Sequence, residues 1–272
     1  MNQPKNIILT GLPRSGTSLT CRLLSQIDDV LALQEPMDVG IFPTLGGFSE
    51  IKKMIDAFFT EMRLSAHERG EVISRNLDGK MPDNYFPDAG TVNGLRKGIK
   101  TIGYISIEKK VTLDMTMLIK HPAAFTALIP ELRHHYPVFA VVRNPLWALA
   151  SWNSTQIQVG NGHAPMAENL DAKLATGLKK IEDNIDRQVF LLSWMFEQYS
   201  LLESNQVIYY EKIINNPAEA LSEIVPEAKT LSEHLQTSNI ASRYPNVPLD
   251  TLKERLLKKG GAFFDYYSPR DL

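Results

Sequence analysis

A single cysteine, Cys21, is all that the 272 residues contain, so no intrachain disulfide can form and nothing points to an oxidising compartment. Surplus charge of either sign is missing too. With 29 Lys and Arg against 31 Asp and Glu, the chain lacks the excess of cations that binding a phosphate backbone requires, which argues against nucleic acid as a partner. No apolar run approaches the ~20 residues of a membrane-spanning helix, and the amino-terminal residues show no basic-then-apolar leader. The expectation is a soluble, cytoplasmic protein with no membrane partner. Internal repeats, low-complexity tracts and clusters at metal-ligand spacing are also missing, and no metal is expected.

What is present is a hydrophobic content of 43%, enough to bury a full core, without a composition shift that would mark a second domain. Residues 1–272 therefore read as one domain. The most informative stretch is Ile7 to Leu19, where an apolar strand runs into a turn bounded by Gly11 and Gly16 and then into a helix. Small residues let such a turn aim successive backbone N–H groups at one point, and the helix start adds unpaired amides and its positive dipole end. The stretch predicts an anion site. A nucleoside-triphosphate loop of the form G-x-x-x-x-G-K-[ST] would place lysine after the second glycine, and here Thr17 stands there. Arg14 and the hydroxyls of Ser15, Thr17 and Ser18 are left to supply charge and donors, which suits an anhydride other than a triphosphate.

Short apolar runs at Ile7 to Thr10, Val30 to Leu33, Met115 to Ile119, Val138 to Val142 and Val207 to Tyr210 predict strands. Helical patterns at Gly16 to Ile27, Ala123 to His135, Pro145 to Ser154 and Ile185 to Glu203 fall between them. Such alternation implies an α/β fold, with a central, mostly parallel sheet flanked by helices and ligands bound at the carboxyl ends of its strands. Three of the runs end in two polar residues and a proline: Gln34-Glu35-Pro36, Lys120-His121-Pro122 and Arg143-Asn144-Pro145. Those polar residues are predicted to gather beside the phosphate loop. Phe48 to Arg75 has a charged helical pattern, and Asn76 to Gly98, rich in Gly, Pro, Asp and Asn, reads as an inserted loop for acceptor recognition. Asn153 to Pro165, with His163, is a second candidate loop.

Pro13-Arg14-Ser15-Gly16-Thr17-Ser18 resembles the 5′-phosphosulfate loop of the sulfotransferases that use 3′-phosphoadenosine 5′-phosphosulfate (PAPS). Val138 to Ser154 (VFAVVRNPLWALASWNS) resembles the second nucleotide motif of that family, in which a strand-end arginine and a helix serine grip the 3′-phosphate; Arg143 and Ser151 occupy those places. Independently, Ser151 falls ~2 helical turns beyond Asn144 and a guanidinium pairs bidentately with phosphate. The resemblance implies a three-layer P-loop fold and sulfuryl transfer from PAPS, with adenosine 3′,5′-bisphosphate (PAP) as product. The acceptor would be a hydroxyl, or secondarily an amine, of a small molecule or glycan. It also implies Glu35 as general base, with a pKa expected to be raised amid donor anions, His121 as its rival, and Lys120 at the bridging oxygen. VIYYEKIINNP, Val207 to Pro217, resembles the late strand of the family and puts Tyr210 at the nucleotide edge or in support of the loop. Lys258-Lys259-Gly260-Gly261 is similar to a late basic loop on the 3′-phosphate, which would add Lys259 and Gly260. A P-loop nucleotide kinase or other phosphotransferase, and a nucleotide-binding module without activity, remain as alternatives. The acceptor and the oligomeric state are not legible.

Overall fold

Every apolar run predicted to be a strand enters one parallel sheet in the computed structural model, which describes residues 5–82, 91–92, 95–96, 98 and 101–272. The strands are β1 (Asn6–Gly11), β2 (Val30–Gln34), β3 (Glu71–Arg75), β4 (Thr91–Val92), β5 (Leu95–Arg96), β6 (Ile102–Ser106), β7 (Thr116–Lys120), β8 (Val138–Val142) and β9 (Val207–Tyr209). Between and after them come the helices α1 (Thr17–Leu24), α2 (Phe48–Arg69), α3 (Pro122–Ala127), α4 (Ile129–Leu132), α5 (Pro145–Asn153) and α6 (Pro165–Glu168). The rest are α7 (Ala172–Lys179), α8 (Asn184–Tyr199), α9 (Tyr210–Asn215), α10 (Pro217–Ser222) and α11 (Leu249–Lys259).

The five-stranded sheet has the order β2-β7-β1-β8-β9, and all of its pairs are parallel. Ile8 of β1 lies between Ile119 of β7 and Val138 of β8, so the chain crosses over β1 in passing from β7 to β8. That crossover opens a crevice at the carboxyl ends of the three strands, the usual ligand position in such sheets.

Period-two side-chain alternation divides the core into two layers of packing. Ile7 and Leu9 join Cys21 and Leu24 of α1, with Ile213 of α9 and Leu221 of α10, on one face. Ile8, Ile119 and Val142 join Phe59 of α2, Phe125 of α3, Trp152 of α5 and Phe196 of α8 on the other. The result is the α/β architecture expected, a central parallel sheet between helical layers. No helix among the described residues is long and apolar enough to cross a membrane.

Three boundaries differ from the sequence pattern. The helix expected to reach Arg75 stops at Arg69, because Gly70 takes a left-handed conformation (φ 66°) and donates to Ala66 O and Ser65 O. Glu71–Arg75 then forms β3, antiparallel to β6 in a separate two-stranded sheet. Ala123 to His135 is broken at Leu128, just before Pro130, whose ring nitrogen has no hydrogen to continue the ladder. Tyr210, expected to close a strand, opens α9 instead. Of the inserted loop expected over Asn76 to Gly98, Asp83 to Gly90, Asn93, Gly94 and Lys97 lie outside the described residues.

Candidate active site

The loop from Gly11 to Gly16 is shaped by contacts that only its own residues allow. At Gly11 (φ 145°) a Cβ would meet Val141 O at 2.3 Å, so β8 can approach only a glycine. At Gly16 (φ 93°) a Cβ would lie 2.8 Å from Tyr210 Cδ2, which seats that ring on the loop. Ser15 is fully buried and its Oγ donates to Val141 O at 2.7 Å; its hydroxyl faces the sheet and not an anion, contrary to the expected role. Trp152 Nε1 donates to Pro13 O at 2.7 Å. The loop delivers the chain to α1 with Gly16 at the N-cap and no side-chain cap among the described residues, leaving the first-turn amides to face the crevice. Thr17 and Ser18 line that crevice, whose volume is about 1200 Å³.

Glu35 and Lys120 meet at one end of it, because β2 and β7 are neighbours and Gln34 is in register with Lys120. Lys120 is only 2% exposed, and its Nζ donates to Glu35 Oε1 at 2.8 Å and toward Ser18 Oγ at 3.5 Å. Arg75, at the end of β3, donates from Nη2 to Glu35 Oε2 at 2.5 Å. Burial alone would raise the Glu35 carboxyl, but the Lys120 and Arg75 cations outweigh it and hold the pKa down at about 2. The direction is therefore the reverse of the raised pKa expected. His121 is pushed down to about 3, first by burial and then by the nearby cations, and its Nε2 accepts from Met37 N at 3.3 Å. A neutral imidazole accepting at Nε2 carries its proton on Nδ1, so its lone pair is engaged by the backbone.

A second focus of charge lies on the other side of the loop. Arg14 has a left-handed backbone (φ 72°), and its Nε donates to Ser151 Oγ at 3.2 Å. Burial, then the Arg96 and Arg143 charges, push the Arg14 guanidinium down to about 9. Arg143 is 3% exposed and largely engaged by protein: Nε with Asn239 Oδ1 (2.7 Å), Nη1 with Arg14 O (3.0 Å), Nη2 with Ser238 O (2.9 Å) and Tyr244 OH (3.0 Å). It also lies over the Tyr210 ring at 4.8 Å, and the Tyr210 hydroxyl accepts from Ser238 N at 2.9 Å. Arg143 and Ser151, expected to grip one phosphate together, both contact Arg14: Arg143 at the Arg14 carbonyl and Ser151 at the Arg14 Nε. Arg143 lines the crevice, whereas Ser151, 1% exposed, reaches it through Arg14.

The remaining assignments separate in the same way. Tyr210 lines the crevice, and its neighbour Glu211 braces Asn144 N and Asn239 Nδ2 at 3.0 and 2.8 Å. Lys259 instead pairs with Asp186 at 2.8 Å, and it and Gly260 sit at the end of α11, not among the crevice residues. Sequence patterning missed Arg75 and Arg96. Arg96 stands in a glycine-rich stretch and is fixed by pairing with the end of α5, its N donating to Ser154 O at 3.3 Å. Arg75 was hidden inside an apparent helix, which Gly70 ends before β3 begins.

Chemically, the crevice offers amides, a lysine and a carboxylate, together with five arginines, of which Arg96 and Arg143 act on Arg14 by their like charge. No protein-family model matches the chain, and no curated protein matches it by sequence. Among solved structures it aligns with the sulfotransferase domain from the curacin biosynthetic pathway, at 12% identity and TM-score 0.40, over 86% of this chain and 76% of that one. Sulfotransferase STF1 from Mycobacterium tuberculosis H37Rv aligns at 13% identity and TM-score 0.37, over 94% and 77% of the two chains. Sulfotransferase STF9 from Mycobacterium avium aligns at 10% identity and TM-score 0.40, over 98% and 78%. Likeness at this level concerns the course of the backbone and not chemistry.

Proposed function

We propose that the protein is a PAPS-dependent sulfotransferase acting on a hydroxyl, or secondarily an amine, of a small molecule or glycan. One observation supports this above the rest: a phosphate loop without a lysine at its helix start opens onto the same crevice as the Lys120–Glu35 pair and the Arg14–Arg96–Arg143 cluster. Two separated cationic foci fit a donor with two separated phosphates. When bound, PAPS supplies a sulfuryl group attached to a phosphate leaving group. The backbone of Pro13 to Ser18 would hold the 5′-phosphosulfate, and Arg14, braced by Ser151, would face the 3′-phosphate together with Arg143 and Tyr210.

Glu35 takes the proton of the acceptor hydroxyl. The acceptor oxygen bonds to sulfur as the bond from sulfur to the phosphate oxygen breaks, and Lys120 meets the charge left on that oxygen. Positioning and electrostatics carry such transfers, and this scheme calls on no metal. The Met37 amide on His121 Nε2 favours Glu35 as the base. A cytoplasmic location and a single domain complete the proposal.

Calorimetry with PAP and with Mg·ATP, followed by transfer from ³⁵S-labelled PAPS in the presence of a chelator, tests it. PAP binding with chelator-resistant transfer is expected. ATP consumption with indifference to PAPS would make the protein a phosphotransferase, and PAP binding without transfer to any acceptor would make it a binding module.

A further inference from the structure

Arg75 reaches the carboxylate from outside the parallel sheet. It ends β3, lies opposite Ile102 of β6, and belongs to an element that carries none of the phosphate loop. Its Nη2 holds Glu35 Oε2 at 2.5 Å, with the side chain 13% exposed, while Lys120 Nζ holds Oε1 at 2.8 Å. The two cations differ in what else they touch. Lys120 also reaches toward Ser18 Oγ at 3.5 Å, so it stands between the carboxylate and the first turn of α1. Glu35 itself has φ 46°, a left-handed backbone that a non-glycine residue keeps only when its surroundings fix it, and its N donates to Lys120 O at 2.8 Å.

We propose that Arg75 is a positioning residue: it fixes Glu35 by Oε2, so that when an anion in the loop draws Lys120 toward itself, Oε1 is left as the oxygen that accepts the proton. The inference rests on the sulfotransferase assignment. A carboxylate with Lys120 as its sole cation would follow the lysine toward the anion or take up a proton from solvent; a second cation on the opposite oxygen prevents both. In the transfer itself the acceptor proton passes to Oε1, the acceptor oxygen bonds to sulfur, and the electron pair of the broken sulfur–oxygen bond stays on the departing phosphate beside Lys120. Arg75 exchanges no proton.

Among the described residues, the titratable groups that interact electrostatically with Glu35 are Lys120 of β7, Arg75 of β3, His121 at the end of β7 and Cys21 of α1. Burial keeps His121 neutral by pushing it down to about 3, and pushes the Cys21 thiol up to about 12. Over the neutral range the charge on Glu35 is therefore governed by the two cations.

Arg75→Met and Arg75→Lys test this, with PAP in calorimetry and with ³⁵S-labelled PAPS and 4-nitrophenol, or slow transfer to water, in turnover. PAP affinity is expected to stay within about twofold in both variants, which also reports that they are folded. In Arg75→Met, kcat falls by about 10²-fold and the acid limb of its pH profile moves up by about one unit or more, because Glu35 loses a cation. Arg75→Lys keeps the charge but not the fork; its acid limb stays near that of the wild type and kcat is partly restored. With PAP binding intact, an unmoved acid limb in Arg75→Met overturns the inference alone. Loss of PAP binding in Arg75→Met would make Arg75 a donor ligand and overturn it as well. Failure of the wild type to bind PAP would remove the sulfotransferase assignment and the inference with it.

Discussion

Lys120 Nζ stands 2.8 Å from Glu35 Oε1, and the lysine is so deeply placed that only 2% of its side chain is exposed. A buried ammonium is retained at such a position when a carboxylate balances it, and breaking a pair of this kind leaves an uncompensated charge. In the proposed function the pair would hold the base in its ionised form beside a cation that an incoming anion can claim. Glu35→Gln keeps the shape and an acceptor for Lys120 while removing the basicity and turning an amide NH2 toward Arg75. Turnover is expected to fall by ~10²–10⁴-fold, with PAP affinity nearly unchanged, as measured by labelled transfer and calorimetry. Full activity in Glu35→Gln would hand the base to another group.

His121 makes a separate, pH-dependent contribution. Its folded-state pKa is pushed from 6.5 to about 3, chiefly by burial, so the neutral ring is what the fold accepts. The unfolded chain takes up the proton first as pH falls below 6.5, which means the stabilisation is present above that value and is lost on the way down to about 3. Between pH 7 and pH 5 the wild type is expected to lose about 2 kcal/mol more of unfolding free energy than His121→Gln. Urea denaturation at the two pH values reads the difference. Equal losses in both proteins would show that the buried imidazole does not set this slope.

The strand ends were legible in the sequence because a buried apolar run followed by polar residues and proline has few ways to fold. Glu35 and Lys120 came together since their strands pair in parallel and end at the same edge. Arg75 was not legible: its place depends on Gly70 stopping α2 and on β3 pairing with β6 more than 25 residues later, which local periodicity does not encode. For Arg143 the strand-end position was readable but the partners were not, because Asn239 and Tyr244 come from a distant irregular segment. Ser15 shows the opposite limit. Its hydroxyl suits an anion by type, and only the depth of the loop turns it toward Val141 O.

Arg143 joins two structures that sequence patterning kept apart, the phosphate loop through Arg14 O and the irregular segment through Ser238 O, Asn239 and Tyr244. With four hydrogen bonds to protein already made, in the proposed function it would serve a bound phosphate partly by its charge and partly by holding Arg14 in its left-handed conformation. Arg143→Ala should therefore weaken PAP binding by ~1.5–3 kcal/mol, the range for losing a charged hydrogen-bonding partner. Arg143→Lys should recover little, since an ammonium cannot span the same fork of acceptors. The two effects separate by measurement. Calorimetry reports the affinity, and amide hydrogen exchange reports the segment from Ser238 to Tyr244, which should exchange faster in Arg143→Ala without ligand. Faster exchange with unchanged PAP affinity would confine Arg143 to bracing the fold, whereas weaker binding with unchanged exchange would place its whole effect on the nucleotide.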